Sequence, residues 1–325
     1  MNKTKNKDLP LILIGGQTAT GKSEIAIELA RQLDAEIISV DSMQVYRGMD
    51  IGTAKPSKEE RELIPHHLID ILDITESFNA AEFVRLANEK IAEIKSRNKN
   101  IIMCGGTGLY FKAFLEGLGK APPQDKHLRA ELESVPLEIL LSELKEKDPQ
   151  TYLKIDRNNP RRVIRAVEVL RLTGKPFSEL RSEWNKNTAV NFPYVFVGLK
   201  RDSSDLRQRI NERVDKMFKL GIVEETRKLL ELGLEQNPTA MQAIGYKQVV
   251  EHLRGLRSLE ETINLVKIRT WQYARRQSTW FKYQANMEWI KIDKNELEEP
   301  IKQIQKIIIE KVRNTESADE TDLLD

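Results

Sequence analysis

Residues 16–23, Gly16-Gln17-Thr18-Ala19-Thr20-Gly21-Lys22-Ser23, decide how this chain is read. They follow the apolar run Leu11-Ile12-Leu13-Ile14 and lead into 23–33, where Ile25, Ala26, Leu29, Ala30 and Leu33 recur at helical spacing. A strand, a loop of the form G-x-x-x-x-G-K-[ST] and a helix, in that order, make a phosphate-binding loop. Its glycines let the backbone wrap closely around phosphate oxygens with N–H groups turned inward. Lys22 adds a point charge, Ser23 offers a hydroxyl to Mg²⁺, and the positive end of the helix meets the anion. The loop predicts a phosphorylated small-molecule ligand and leaves open what is done with it.

Outward from the loop, short apolar runs at 9–14, 36–40, 67–72 and 100–104 alternate with helical patterns, which predicts βαβ repetition and a parallel sheet. The helix expected over 79–97 carries Ala80, Phe83, Val84, Leu86, Ala87, Ile91 and Ile94 on one broad stripe. From 114 to 192 the pattern is almost purely helical, opened by the breaker cluster 117–123 (Gly-Leu-Gly-Lys-Ala-Pro-Pro). Runs at 194–199 and 288–292 then complete the sheet, with helices expected over 205–220, 223–232, 246–254 and 259–283 and one more after Pro300. The expected fold class is α/β: a P-loop-containing parallel-sheet core with an inserted all-helical domain. The core spans 1–113 and 193–312, the insertion 114–192, and 313–325 is expected to be a disordered acidic tail.

At 325 residues the chain is long enough for a substantial core, and its 40% hydrophobic and 31% charged content is ordinary for a globular protein. No apolar run approaches the length of a membrane span, and the lysine-rich start lacks an apolar signal core, so a cytoplasmic protein without membrane partners is expected. Cys104 is the only cysteine, which excludes an internal disulfide and a cysteine-based zinc site. The net charge of +2 says little, but its distribution is uneven. Residues 262–287 hold no acid but carry Lys267, Arg269, Arg275, Arg276 and Lys282, interleaved with Trp271, Tyr273, Trp280, Phe281 and Tyr283. Residues 157–175 hold six basic residues against Glu168 alone. Cations that meet phosphates and rings that stack on bases are the footprint of nucleic-acid binding; a solvated helix face is the plainer alternative.

Three further features bear on chemistry. Asp41 ends the second strand, where ligands of parallel α/β sheets sit; a carboxylate there can hold Mg²⁺, take a proton, or simply cap the following segment. Gly105-Gly106-Thr107-Gly108-Leu109-Tyr110 follows the fourth strand and reads as a ligand-facing turn. That strand ends without the acid that NTP-hydrolysing motors place there. Arg213 on a helix can fork a diphosphate or be an ordinary surface arginine.

Six stretches carry a family resemblance: GGQTATGKS (15–23), ISVDSMQVYRGMDIGTAKPS (38–57), PHHLID (65–70), GGTGLY (105–110), NPRRVIRAVEVLRLTGKP (159–176), and AIGYKQ (243–248) with RRQSTWF (275–281). The chain, from about residue 10 to 310, resembles the tRNA dimethylallyltransferases, or isopentenyl-diphosphate:tRNA transferases. The resemblance implies transfer of a dimethylallyl group from dimethylallyl diphosphate to the exocyclic amine of the adenosine just 3′ of the anticodon. It makes the loop, Gly16, Gln17, Thr18, Ala19, Thr20, Gly21, Lys22 and Ser23, a diphosphate grip, with Ser23 toward the implied Mg²⁺. Asp41 becomes the general base, with Thr18 and Arg213 beside it in the catalytic set. Implied tRNA contacts are Asp41, Ser42, Met43, Gln44, Thr107, Arg129, Arg161, Arg162, Val163, Ile164, Arg165, Gln242, Gly245, Tyr246, Lys247, Arg275, Arg276, Gln277 and Trp280. The partner is a tRNA anticodon stem-loop, whose target base must be extruded, and a monomer is expected. The chain departs from the family at Gln17, where proline is usual; Gln17 has the N–H that proline lacks. Read without the resemblance, the residues also admit a small-molecule P-loop kinase or a non-catalytic RNA-binding protein.

Overall fold

The structure, a computed structural model, describes residues 9–118, 121–182, 192–293 and 296–322, without side chains at 181–182 and 315–322. The chain divides into two compact units, residues 1–112 with 191–325, and residues 113–190.

The first unit begins with β1 (Leu11–Gly16), α1 (Lys22–Leu33), β2 (Ala35–Val40), α2 (Lys58–Leu63), β3 (His66–His67), α3 (Ala80–Ser96), β4 (Asn100–Gly105) and α4 (Gly108–Glu116). Every residue of β1 and β2 is buried, as expected of parallel strands covered on both faces. Asn79 caps α3 by accepting the N–H groups of Ala81 and Glu82. The strand expected over 67–72 is reduced to His66–His67 and an isolated bridge between Tyr46 and Leu72. Leu68 and Asp70 have φ values of 61° and 55°, which no strand accommodates, and Asp70 is held there by Lys55 and Arg61. The helix α2 escaped the sequence pattern because it buries no residue; a Ser57–Glu60 capping box sustains it.

After the second unit the chain returns through β5 (Tyr194–Lys200), α10 (Ser203–Lys219), α11 (Ile222–Glu231), α12 (Tyr246–Leu253), α13 (Leu259–Gln284), β6 (Glu288–Lys291) and α14 (Glu298–Asp322). The sheet order is β3-β2-β4-β1-β5-β6, all parallel, with Ile14 paired to Cys104 on one side and to Val197 on the other. On one face, Ile12, Ile14, Ile102, Val197 and Ile290 join Ile25 and Leu29 of α1 and Ile304 and Ile308 of α14 in one apolar cluster. On the other face aromatic rings meet: Phe111 lies 4.9 Å from Phe196 and 6.2 Å from Phe281, ring centre to ring centre. Pro300 lies inside the first turn of α14, where its missing N–H costs nothing. That helix runs on to Asp322, into the stretch expected to be an acidic tail; nothing after Pro300 breaks a helix, and 323–325 lie outside the described residues.

The second unit holds α5 (Lys126–Ser134), α6 (Leu137–Lys147), α7 (Pro149–Lys154), α8 (Pro160–Thr173) and α9 (Phe177–Ser182). Its core joins Leu132, Leu140, Leu144, Val163, Ile164, Ala166 and Val167. Glu168 is fully buried there, and its charge is met by Arg165 at 2.7 Å, the Asp125 N–H at 3.0 Å and Arg129 at 3.9 Å. No helix among the described residues is long and apolar enough to cross a membrane.

Candidate active site

The loop between β1 and α1 has the backbone that anion binding requires. Gly16 has φ +137°, and a Cβ there would lie 2.6 Å from the Leu199 carbonyl oxygen; Gly21, which starts α1, has φ +100°. Ala19 adopts φ 63° without being glycine, a strain of the kind functional loops store. The Gln17 carbonyl accepts the Thr20 hydroxyl at 2.9 Å and the Lys22 ammonium. Burial pushes the Lys22 pKa down to about 8; Arg213 adds to the effect, while Cys104 and Asp41 oppose it. Gln17 is itself buried, and its Nε2 donates to the Ala274 carbonyl of α13 at 3.1 Å, a tie a proline side chain cannot make. Ser23 stands exposed in the first turn of α1.

A row of arginines faces this loop from the far side. Arg201 follows β5 and donates from Nε to the Thr20 carbonyl at 2.8 Å, braced by Asp205. Arg209 of α10 donates to the Ala19 carbonyl at 3.0 Å. Arg213, one turn further, donates to the Thr53 carbonyl at 3.4 Å. Burial lowers the Arg213 pKa, Asp41 opposing and Arg209 adding to the shift, so the three groups share one electrostatic neighbourhood. Arg201 and Arg209 escaped the sequence reading, although Asp205, Arg209 and Arg213 recur at a spacing of four on one face of α10, with Arg201 four residues ahead in the turn after β5.

Asp41 leaves β2 and turns at once. Its Oδ1 accepts the N–H groups of Met43 at 2.8 Å and Gln44 at 3.3 Å, the local capping turn its residue type favours. Thr107 ties this turn to β4: its N–H donates to the Val40 carbonyl at 3.2 Å, and its hydroxyl accepts the Ser42 N–H at 3.2 Å. Gln44 accepts the Ser39 hydroxyl at 2.8 Å and donates to the Thr53 carbonyl at 3.3 Å, the acceptor Arg213 also uses. The loop carrying Thr53 is clamped by Glu225, whose carboxylate accepts the N–H groups of Asp50, Ile51 and Gly52 at 2.9–3.4 Å. Tyr246 completes the clamp, donating to Glu225 at 2.6 Å and accepting the Gly52 N–H at 3.1 Å.

Several residues assigned to tRNA are occupied otherwise. Tyr246 is fully buried in the clamp just described. Gly245 is buried with φ +100°, shaping the start of α12. Val163 and Ile164 belong to the core of the helical unit, because the spacing that exposes Arg161 and Arg162 turns the next two positions inward. Arg165 and Arg129 hold Glu168. Gln277, 6% exposed, accepts the Thr18 N–H at 2.8 Å and donates to the Gly106 carbonyl at 3.0 Å. Trp280 packs on the turn after β4, where a Cβ at Gly108 would lie 2.1 Å from its ring. In the turn that the sequence reads as ligand-facing, the Val40 backbone, Gln277 and Trp280 leave no room for a Cβ at Gly105, Gly106 and Gly108. Gln242, Lys247, Arg275, Arg276, Arg161 and Arg162 remain exposed, and Ser42, Met43, Gln44 and Thr107 are partly so.

The G-x-x-x-x-G-K-[ST] loop with its lysine, a row of arginines and the Asp41 carboxylate thus stand at the carboxyl ends of neighbouring strands in a parallel α/β sheet. The IPP transferase family model matches residues 44–284. The tRNA dimethylallyltransferase 1 of Citrifermentans bemidjiense is 43% identical over 88% of this chain and 93% of its own. That of Acetivibrio thermocellus is 44% identical over 90% and 94%. The crystal structure of the full-length tRNA isopentenylpyrophosphate transferase from Bacillus halodurans superposes with a TM-score of 0.71 at 39% identity, covering 96% of this chain and all of that one. A eukaryotic dimethylallyltransferase acting on tRNA gives 0.74 at 30% identity, covering 87% and 74%. The chain belongs to the tRNA dimethylallyltransferase (IPP transferase) family.

Proposed function

We propose that this chain transfers the dimethylallyl group of dimethylallyl diphosphate to the exocyclic N6 amine of the adenosine 3′-adjacent to the anticodon, releasing diphosphate. The observation that carries this reading is the neighbourhood of Asp41, Lys22 and Arg213: one carboxylate among cations that face the phosphate loop. The N6–C1 bond forms as the C1–O bond breaks, and the electron pair leaves on the diphosphate. Lys22, the loop N–H groups and Arg213 stabilise that departing charge. With Oδ1 occupied by two amides, Oδ2 of Asp41 takes the proton from the amine.

Among the described residues no group of His, Cys, Asp or Glu forms a metal cage. The exposed Ser23 hydroxyl suits an Mg²⁺ held mainly by diphosphate oxygens and water, the usual habit of that ion. When bound, it would neutralise part of the diphosphate charge. In this reading Arg161 and Arg162 meet RNA phosphates from the first turn of α8. Arg275 and Arg276 serve the same role from α13. We place the protein in the cytoplasm as a monomer. Incubation of the purified protein with dimethylallyl diphosphate and an unmodified tRNA, followed by mass spectrometry of the digested nucleosides, should reveal isopentenyladenosine. No such nucleoside, or phosphate transfer from ATP to a small acceptor, overturns the reading.

A further inference from the structure

We propose that Gln277 is a positioning residue of the transfer reaction, setting the phosphate loop at its working distance from Asp41. This rests on the transferase reading and departs from the assignment of Gln277 to tRNA. Its carboxamide spans the ends of two adjacent strands, accepting the Thr18 N–H beyond β1 at 2.8 Å and donating to the Gly106 carbonyl beyond β4 at 3.0 Å. Turned over, the amide would set donor against donor and acceptor against acceptor, so its orientation is dictated. A carboxylate or an apolar side chain cannot make both bonds. The seat is built for it: a Cβ at Gly106 would lie 2.3 Å from Gln277 Nε2. Gln17 makes a second tie in the opposite sense, from the loop to the Ala274 carbonyl, one turn earlier on the same helix.

The path continues from Gly106 to the base. Thr107 is bonded to Val40 and to Ser42, the residues on either side of Asp41. Gln277 thereby links the backbone that grips the leaving group to the backbone that aims the proton acceptor. It is buried on α13, while Arg275 and Arg276 are exposed, so RNA affinity should not depend on it.

The test uses the full-length protein with Gln277→Met, Gln277→Glu and Gln17→Ala. Its readouts are the single-turnover transfer rate at saturating RNA and dimethylallyl diphosphate, and anticodon stem-loop affinity across a salt series. Gln277→Met should slow transfer by ten- to a hundredfold, the scale of small misplacements at a reacting centre, with RNA affinity within twofold of wild type. Gln17→Ala should slow it less, and it carries the test should Gln277→Met fail to fold. Gln277→Glu keeps the acceptor for Thr18 but loses the donor until its carboxyl is protonated. Its rate relative to wild type at the same pH should therefore climb as pH falls, and that of Gln277→Met should not. Wild-type transfer rates in folded variants, or a loss confined to RNA affinity, overturn the proposal while leaving the transferase reading intact. A wild-type protein that makes no isopentenyladenosine overturns both.

Discussion

Lys22 offers a prediction with a number attached. In the free protein its pKa stands at about 8, below the ordinary lysine value of 10.5, because burial in the loop strips water from the ammonium. Charged Lys22 therefore costs the fold stability at pH below 8. That cost is relieved between pH 8 and 10.5, where the unfolded chain binds the extra proton. An arriving diphosphate reverses the balance: its charge replaces the lost water and holds the proton on. Binding should then take up about 0.1 proton at pH 7, about 0.5 at pH 8 and about 0.9 at pH 9. The Lys22 contribution to affinity should be flat below pH 8 and fall by about tenfold per pH unit above it. Calorimetry of dimethylallyl diphosphate binding, repeated in buffers of different ionisation enthalpy, counts those protons directly. Lys22→Arg in the same buffers supplies the baseline, since a guanidinium stays charged throughout and only the ligand titrates. If wild type and Lys22→Arg take up the same number of protons at pH 8 and 9, Lys22 does not change its protonation when the ligand arrives, and the coupling inferred from its burial is wrong.

Asp41→Asn keeps the side chain's shape but cannot accept a proton. Single-turnover transfer should fall by about 10²–10⁴-fold with RNA affinity nearly intact, and a fall under about tenfold would make Asp41 a mere capping residue. Alanine variants of Arg161, Arg162, Arg275 and Arg276 should each flatten the plot of log RNA affinity against log salt by about one unit, without changing affinity for dimethylallyl diphosphate. Slopes that all match wild type would make both basic stretches solvated helix faces.

The phosphate loop and the parallel sheet were legible because each is written in contiguous residues: an apolar run, glycines at set positions, then a helical stripe. The second strand's turn at Asp41 was legible for the same reason. What the pattern could not supply was partnership across the chain. Gln277 and Arg276 are neighbours in a basic stretch, yet one is buried against the phosphate loop and the other faces water. Only their positions relative to Ala274 and Phe281, buried on the same face, separate them. Tyr246 reads as an aromatic beside a lysine, and nothing local announces Glu225 as its partner. The strand expected over 67–72 stops at His67 because β propensity yields to the left-handed backbone of Leu68 and Asp70, the latter held by its ion pairs. Val163 and Ile164 sit in sequence among the arginines of a basic stretch, but their apolar side chains belong to the core of the helical unit.

The order of the sheet has a consequence for how the protein is made. β1 ends at Gly16, and the strand that covers one of its edges, β5, begins at Tyr194. At synthesis rates of about 5–20 residues per second, roughly 9–36 s separate the emergence of the two. Throughout that interval the nascent chain carries an apolar strand with an open row of N–H and C=O groups, the kind of edge that recruits other strands. The arginines that face the phosphate loop arrive later still, on α10. Protease sensitivity of the phosphate loop in ribosome-bound chains should therefore persist until β5 and α10 have left the exit tunnel, and the helical unit, with its own core, is free to fold first.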